Sequence, residues 1–302
     1  MSEEEAESAA EEDESAAEEE SAAESWGDSA DAWAKAGEKP ETGAGAAVAE
    51  WMLEAAALEE GEHVVEIACG AGRVGLQAAE IVGSGGVVIC SDFAEPMVKA
   101  VREKIRALGF KNAEAWVLDA SNLRLRTGER FDAVLCRFGY MLMSDPLGAL
   151  RESHGALKPD GRLVLGVWGE AGENPWLSTI LSAVMAHFDA PAPKPGTPGP
   201  FSLGDRERLE DMLVEAGFAD VSVKAIEAEQ TYDSLDGWWE EIREVSGPLA
   251  AVLSKLPDDA REAIRKRSFD AAGEYVGGDG EVVFPAVAVG ARATRPAPDA
   301  EG

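Results

Sequence analysis

Val64-Val65-Glu66-Ile67-Ala68-Cys69-Gly70-Ala71-Gly72-Arg73-Val74-Gly75 decides how the rest of the chain is read. An apolar run rich in β-branched residues reads as a buried strand, and the glycines after it as a turn that opens a helix. Glycine belongs in such a turn because a Cβ would hold a ligand away from the backbone. Gly70, Gly72 and Gly75 also satisfy the dinucleotide spacing G-x-G-x-x-G, a weak signal by itself that has to be weighed with its surroundings.

Working outward, the strand covers His63–Ala68 and the helix Gly72–Val82. An earlier helix is expected at Gly45–Leu58, where Ala47, Val48, Trp51, Met52 and Ala55 recur at helical spacing. Downstream, strands are expected at Val87–Ser91, Ala113–Leu118, Phe131–Cys136 and Arg162–Trp168. Helices alternate with them at Glu95–Leu108 and Pro146–Leu157, and Lys158–Gly161 reads as a turn. A helix at Asp205–Ala216 and strands at Ala219–Glu229 and Glu281–Ala293 complete the pattern. The expected fold is α/β: a Rossmann-like, seven-stranded, mostly parallel sheet with helices on both faces and the last strand antiparallel.

Two stretches exceed this alternation, at about 170–200 and 235–280. The first holds a helix near Trp176–Phe188 and a Pro/Gly-rich loop. The second holds helical segments near Trp238–Val245 and Asp258–Tyr275. Ligands of doubly wound sheets lie at the carboxyl ends of the parallel strands. Both insertions leave from that edge if the last strand is antiparallel, so topology predicts helical lid insertions over the ligand.

Three acids end the first three strands: Glu66, Asp92 and Asp119. Parallel neighbours bring them to one rim. Asp92 suits two ribose hydroxyls, and Asp119 an adenine amino group. Glu66 suits a positively charged ammonium and sulfonium, and would serve an anionic pyrophosphate poorly.

With these acids, Glu66-Ile67-Ala68-Cys69-Gly70-Ala71-Gly72 resembles the first motif of the class I methyltransferases that use S-adenosyl-L-methionine (SAM). The family usually has glycine where Ala68 stands. Asp92-Phe93 resembles the second motif and Asp119-Ala120 the third. Phe131–Gly139, including Arg137, resembles the fourth strand and its loop, and Leu157–Leu163 the turn before strand five. The run from Arg137 to Trp176 is similar to the branch related to ubiquinone/menaquinone biosynthesis. The resemblance implies SAM as cofactor, held by Glu66, Ala68, Gly70, Gly72, Asp92, Phe93, Asp119, Ala120 and Arg137, with Phe93 beside the adenine. It implies methyl transfer by in-line displacement to a small-molecule acceptor, but names neither acceptor nor base. Tyr140 and His187 are candidate bases on position alone. Duller roles stay open: Arg137 pairing with a surface acid, Phe93 in the core, and Trp168, Trp176, Trp238 and Trp239 packing the interior instead of lining an acceptor pocket.

Two other readings compete. An NAD-dependent oxidoreductase would use Gly70, Gly72, Gly75 and Asp92 but leaves Glu66 and Asp119 without a role, and the chain lacks a Tyr-x-x-x-Lys pair. A non-catalytic SAM-binding scaffold is motivated by Ala68 and the acidic tail.

Composition bounds the partners. The formal net charge is −31, with twelve Asp or Glu and no Lys or Arg in residues 1–25. Such a surface disfavours nucleic acid and anionic membranes. Residues 1–25 are low in apolar content and are expected to be disordered, as are 296–302, with the methyltransferase domain covering 26–295 from near Trp26 and Trp33. No apolar run reaches the roughly 18 residues of a membrane helix, and the acidic N-terminus lacks a secretory pattern, so the expected location is cytoplasmic. Cys69, Cys90 and Cys136 fit no zinc spacing and read as small buried hydrophobes; no metal is expected.

Overall fold

The computed structural model describes residues 41–123, 130–194 and 196–297, so the expectations for residues 1–25, Trp26, Trp33 and 298–302 lie outside the described residues. Helix α1 (Gly43–Ala56) precedes strand β1 (His63–Ile67), helix α2 (Arg73–Val82), strand β2 (Val87–Asp92), helix α3 (Glu95–Leu108) and strand β3 (Ala113–Val117). Then come β4 (Phe131–Arg137), α4 (Pro146–Ala156), β5 (Leu157–Trp168), α5 (Pro175–His187), α6 (Arg206–Glu215) and β6 (Ala219–Tyr232). Helices α7 (Leu235–Val245), α8 (Gly247–Ser254) and α9 (Asp258–Ala272) lead to β7 (Val282–Thr294). The sheet order is β3-β2-β1-β4-β5-β7-β6. The first five strands pair in parallel, and β7 runs antiparallel to both β5 and β6.

Local chemistry explains the elements. β1 is buried from Val64 to Ile67, as a strand covered on both faces must be. α3 buries Met97, Val98, Val101 and Ile105 along one side and ends at Gly109, whose φ of +80° closes the helix. Asp145, Asp205 and Ser234 cap α4, α6 and α7 by accepting backbone N–H groups. All three cysteines are buried and unpaired in disulfides.

One expectation needs correction. Lys158–Gly161 is not a turn ahead of the fifth strand but a bulge inside it. The register passes from Phe131↔Leu157 to Ala133↔Arg162, so these residues loop out opposite Asp132. Asp160 takes φ +61°. The end of β7 backs the bulge: Asp160 N donates to Arg295 O at 2.9 Å, and Arg295 N to Gly161 O at 2.8 Å. Lys158 Nζ reaches back to Asp132 at 2.7 Å.

The two insertions form one body. Trp238 is fully buried, donates Nε1 to Trp176 O at 2.7 Å, and lies 4.9 Å from the Phe284 ring of β7. Buried Asn174 pins α5 to the sheet. Its Nδ2 donates to Val287 O at 2.8 Å and to Glu170 O at 3.2 Å, and its Oδ1 accepts from Val287 N and Trp176 Nε1, each at 3.1 Å. The loop after α5 returns to the carboxyl end of β4, where Gly199 N and Ser202 Oγ donate to Met141 O at 2.9 and 2.6 Å. Among the described residues no helix is long and apolar enough to cross a membrane.

Candidate functional site

The turn after β1 alternates left-handed residues: Ala68 (φ +52°), Gly70 (φ +50°) and Gly72 (φ +69°). A Cβ on Gly70 would meet no heavy atom within 4 Å, so open space lies against this backbone. Gly72 is tighter, its absent Cβ falling 3.0 Å from Val101. Alanine at 68 accepts a left-handed backbone at a cost of about 1 kcal/mol.

Gly75 serves a different purpose from the dinucleotide pattern it completes. A Cβ there would sit 2.5 Å from Glu66 Oε2 and 2.6 Å from Cys90 Sγ. Its absence lets Gly75 N donate to Glu66 Oε2 at 2.8 Å. Glu66 is buried, and burial raises its carboxyl from 4.5 to about 7, against the opposing pull of the Gly75 N–H and the Arg137 and Lys104 charges. Lys104 also donates to Ala71 O at 3.2 Å, tying α3 to the turn.

Asp92 ends β2, buried, with one oxygen accepting from Gly70 N and the other from Ala94 N, each at 3.0 Å. Burial raises its carboxyl above the usual range despite these backbone donors. Beside it, Phe93 is 36% exposed, and Val117, paired in register with Asp92, is 43% exposed. Two uncovered apolar side chains thus lie beside a buried carboxylate, a combination suited to a flat base with a hydroxylated sugar. Asp119 is exposed and folded onto its own turn, accepting from Ser121 N at 2.8 Å and Ser121 Oγ at 2.7 Å; Ala120 beneath it is buried.

At the end of β4, Arg137 is held by Glu41, whose two oxygens each lie 2.8 Å from Nη1, and by Gly45 O at 2.8 Å. Phe138 takes φ +60° and stacks on Trp168 with centroids 4.1 Å apart, and Trp176 meets Trp168 edge-on at 4.9 Å. The four tryptophans Trp168, Trp176, Trp238 and Trp239 are all buried and pack the interior, and of this aromatic cluster only Phe138 is half-buried.

The two candidate bases differ in setting: Tyr140 is buried and His187 exposed. Tyr140 is fully buried with its hydroxyl 2.6 Å from Ser153 Oγ, and burial raises its phenol well above the ordinary value. Its position after β4 pointed to the rim, but the chain turns the ring inward beneath α4. His187 is exposed at the last turn of α5, edge-on to Phe188 at 5.2 Å. Residues that the sequence does not mark are Glu41 and Lys104, together with the packing roles of Gly75 and Gly139. Only Gly75 carried a local signal, as a glycine nine residues from a strand-end acid. Among the described residues no group of His, Cys, Asp or Glu could hold a metal ion.

Residues 58–189 match a family model described as a methyltransferase domain. The ubiquinone/menaquinone biosynthesis C-methyltransferase UbiE of Ectopseudomonas mendocina is 30% identical over 183 residues, spanning 57% of this chain and 71% of that protein. The UbiE of Proteus mirabilis is 29% identical over 182 residues, spanning 57% and 72%. The YcgJ protein of Bacillus subtilis superposes with a TM-score of 0.55 at 18% identity, covering 84% of this chain and 99% of that one, a likeness of fold. The matched region contains the glycine turn, both buried acids and the aromatic-rich loop after β4, and with relatives this similar over most of their length the chain belongs to the class I methyltransferases, with SAM as its cofactor.

Proposed function

We propose that the chain methylates an apolar, ring-bearing small molecule, and that a quinol-like ring is its best-supported acceptor class. The observation carrying this reading is the stacked Phe138–Trp168 pair at the carboxyl ends of β4 and β5, in which Trp168 is buried and the half-buried Phe138 leaves part of its ring uncovered. An uncovered aromatic face favours a flat apolar partner over a small hydrated amine. The names of the relatives in ubiquinone and menaquinone biosynthesis support the same class.

For the cofactor, the open backbone at Gly70 fits close approach of the amino-acid end, with Ala68 and Gly72 shaping the turn. Glu66 faces the ammonium and sulfonium charges. Asp92 accepts from the ribose hydroxyls, Phe93 and Val117 clasp the adenine, and Asp119 with Ala120 meets its edge. SAM supplies, when bound, a methyl group already activated by a sulfonium. The protein's remaining work is to hold the acceptor in line and keep water out. Tyr140, tied to Ser153 in the interior, is poorly placed as a base, and an acceptor hydroxyl that ionises the ring lowers the need for one.

The test is S-adenosylhomocysteine release from the purified protein with SAM and, in parallel, a reduced naphthoquinol, a simple hydroquinone and a small primary amine. Release with the ring acceptors supports the reading. Release with the amine alone sinks it.

A further inference from the structure

We infer that Lys104 of α3 is a positioning residue for the cofactor: its ammonium holds the Ala71 carbonyl, and so sets the glycine turn that receives the amino-acid end, while its charge supports the Glu66 carboxylate. The inference rests on SAM as the cofactor and on Glu66 facing its amino-acid end. It goes beyond both in giving a helix outside the strand-end motifs a part in binding that end.

α3 meets the turn at two successive residues. Val101 and Lys104 are three apart and so share one face of the helix. Val101 is fully buried and lies 3.0 Å from where a Cβ of Gly72 would stand. Lys104 Nζ donates to the carbonyl of the preceding residue, Ala71, at 3.2 Å. Among the described residues no other group donates to this carbonyl. Val101 therefore limits how far the turn can sink onto the helix, and Lys104 keeps it from lifting away. Gly70, one residue before Ala71, is left bare at φ +50°. The same helix is tied to the sugar side at its start, where its N-cap, Ala94, donates N–H to Asp92 Oδ1 at 3.0 Å.

Holding one carbonyl does not by itself require a charge. Lys104 is half-buried and forms no ion pair among the described residues. Burial first, and the Arg73 charge second, push its ammonium below the ordinary lysine value. The other groups facing it are Glu66 of β1, the Cys90 thiol of β2 and Glu41 ahead of α1. Glu66 in turn faces Lys104, Arg137 of β4, Asp92 of β2 and the Gly75 N–H of α2. The thiols of Cys69, Cys90 and Cys136 around it are held protonated by burial. Lys104 and Arg137 are thus the two cations that favour a carboxylate at Glu66, against burial and the Asp92 charge. One ammonium serves twice: its hydrogen bond shapes the turn, and its charge acts on the acid beside it.

The experiment is calorimetric titration of the full chain, across a pH series, with S-adenosylhomocysteine and with 5′-deoxy-5′-methylthioadenosine. Neither carries a sulfonium, so loss of a nearby positive charge does not act on the ligand's sulfur. Only the first has an amino-acid end. Lys104→Met removes donor and charge, Lys104→Gln removes the charge but keeps a donor, and Lys104→Arg keeps both. At the pH of tightest binding, Lys104→Met should weaken S-adenosylhomocysteine on the order of 10-fold, as loss of one charged hydrogen bond does, and leave methylthioadenosine unchanged. Lys104→Arg should restore most of the loss. In Lys104→Met and Lys104→Gln the rise of S-adenosylhomocysteine affinity with pH should move to higher pH, because Glu66 has lost a cation that favours its carboxylate. Equal losses for the two ligands with the rise unmoved would mean that Lys104 only supports the fold, and would overturn the inference. Unchanged binding of S-adenosylhomocysteine in Lys104→Met would overturn it too. If Lys104→Met does not fold, an unmoved pH profile in Lys104→Gln has the same meaning. A wild-type chain that binds neither ligand would instead refute the cofactor reading itself, and is recognised before any variant is made.

Discussion

Ala68 and Gly139 are fitted to each other: a Cβ built on Gly139 would lie 2.7 Å from the Ala68 Cβ and 2.6 Å from Cys136 Sγ. The position where the family usually carries glycine holds alanine here, and the loop after β4 yields the space. Gly139→Ala should destabilise the fold by on the order of 1–3 kcal/mol, the usual penalty of overpacking. Adding Ala68→Gly should return part of the loss, with the Cys136 contact accounting for the rest. Chemical denaturation of the two single variants and the double variant measures this coupling. Simple additivity would show that the two residues do not compete for the same space.

Glu66 gives the cofactor site a pH dependence. Its carboxyl rises from 4.5 in an ordinary setting to about 7 in the fold, so folding favours the protonated form. The stability tied to this group is complete below about pH 4.5 and is lost as pH climbs through about 7. Glu66→Gln stays neutral, so without ligand it should be more stable than the wild type near pH 8, by about 3 kcal/mol at most, and the gap should shrink as pH falls and close below about pH 4.5. SAM affinity should run the opposite way, rising with pH in the wild type as the carboxylate forms and flattening in Glu66→Gln. A gap in stability that grows on acidification would contradict the assignment.

Tyr140→Phe separates structure from chemistry. The hydroxyl meets Ser153 Oγ in the interior, so its removal should cost about 1 kcal/mol of stability. Methyl transfer at saturating substrates should keep its rate. A collapse of turnover in a variant that melts like the wild type would return Tyr140 to the list of proton carriers.

Asn174 should be among the most sensitive polar residues outside the cofactor rim. Asn174→Ala leaves Trp176 Nε1 and Val287 N without their partner, while Val287 O keeps the Gly169 N–H at 2.9 Å. A loss on the order of 3 kcal/mol is expected, since each orphaned buried group carries its own desolvation penalty. Hydrogen exchange should quicken in α5 and at the matching stretch of β7 before it changes in β1. Uniform acceleration across the sheet would mean that Asn174 secures the whole fold and not this junction.

The alternating strands, the glycine turn and the strand-end acids could be read from sequence because each is a local pattern: apolar runs of strand length, helical spacing, a turn residue where backbone must be bare. Asp92 sits where strand order demanded, and α3 has the expected bounds, Glu95–Leu108. The contacts that tune the site are not local. Arg137 is matched to Glu41 across 96 residues, and Asn174 to Val287 across 113. Spacing patterns hold no record of such pairs. The bulge at Lys158–Gly161 looked like a turn because its Pro-Asp-Gly composition is that of a turn; the backing strand at Arg295 is what keeps it in the sheet. α8 lies between the two helical segments expected in the second insertion, with proline in its first turn, where a helix tolerates it.

The bond from Gly70 N to Asp92 Oδ2 has a thermodynamic consequence. It joins the turn that would meet the amino-acid end of a ligand to the carboxylate that would meet its sugar, so the two halves of the binding surface share a hydrogen bond. Filling one half alters the electron density and position of the acceptor on which the other draws. The free energies of two ligand fragments should therefore fail to sum to that of the whole even after the entropy of linking them is removed, and the sign of the residual tells whether the shared bond tightens or yields when the site is filled.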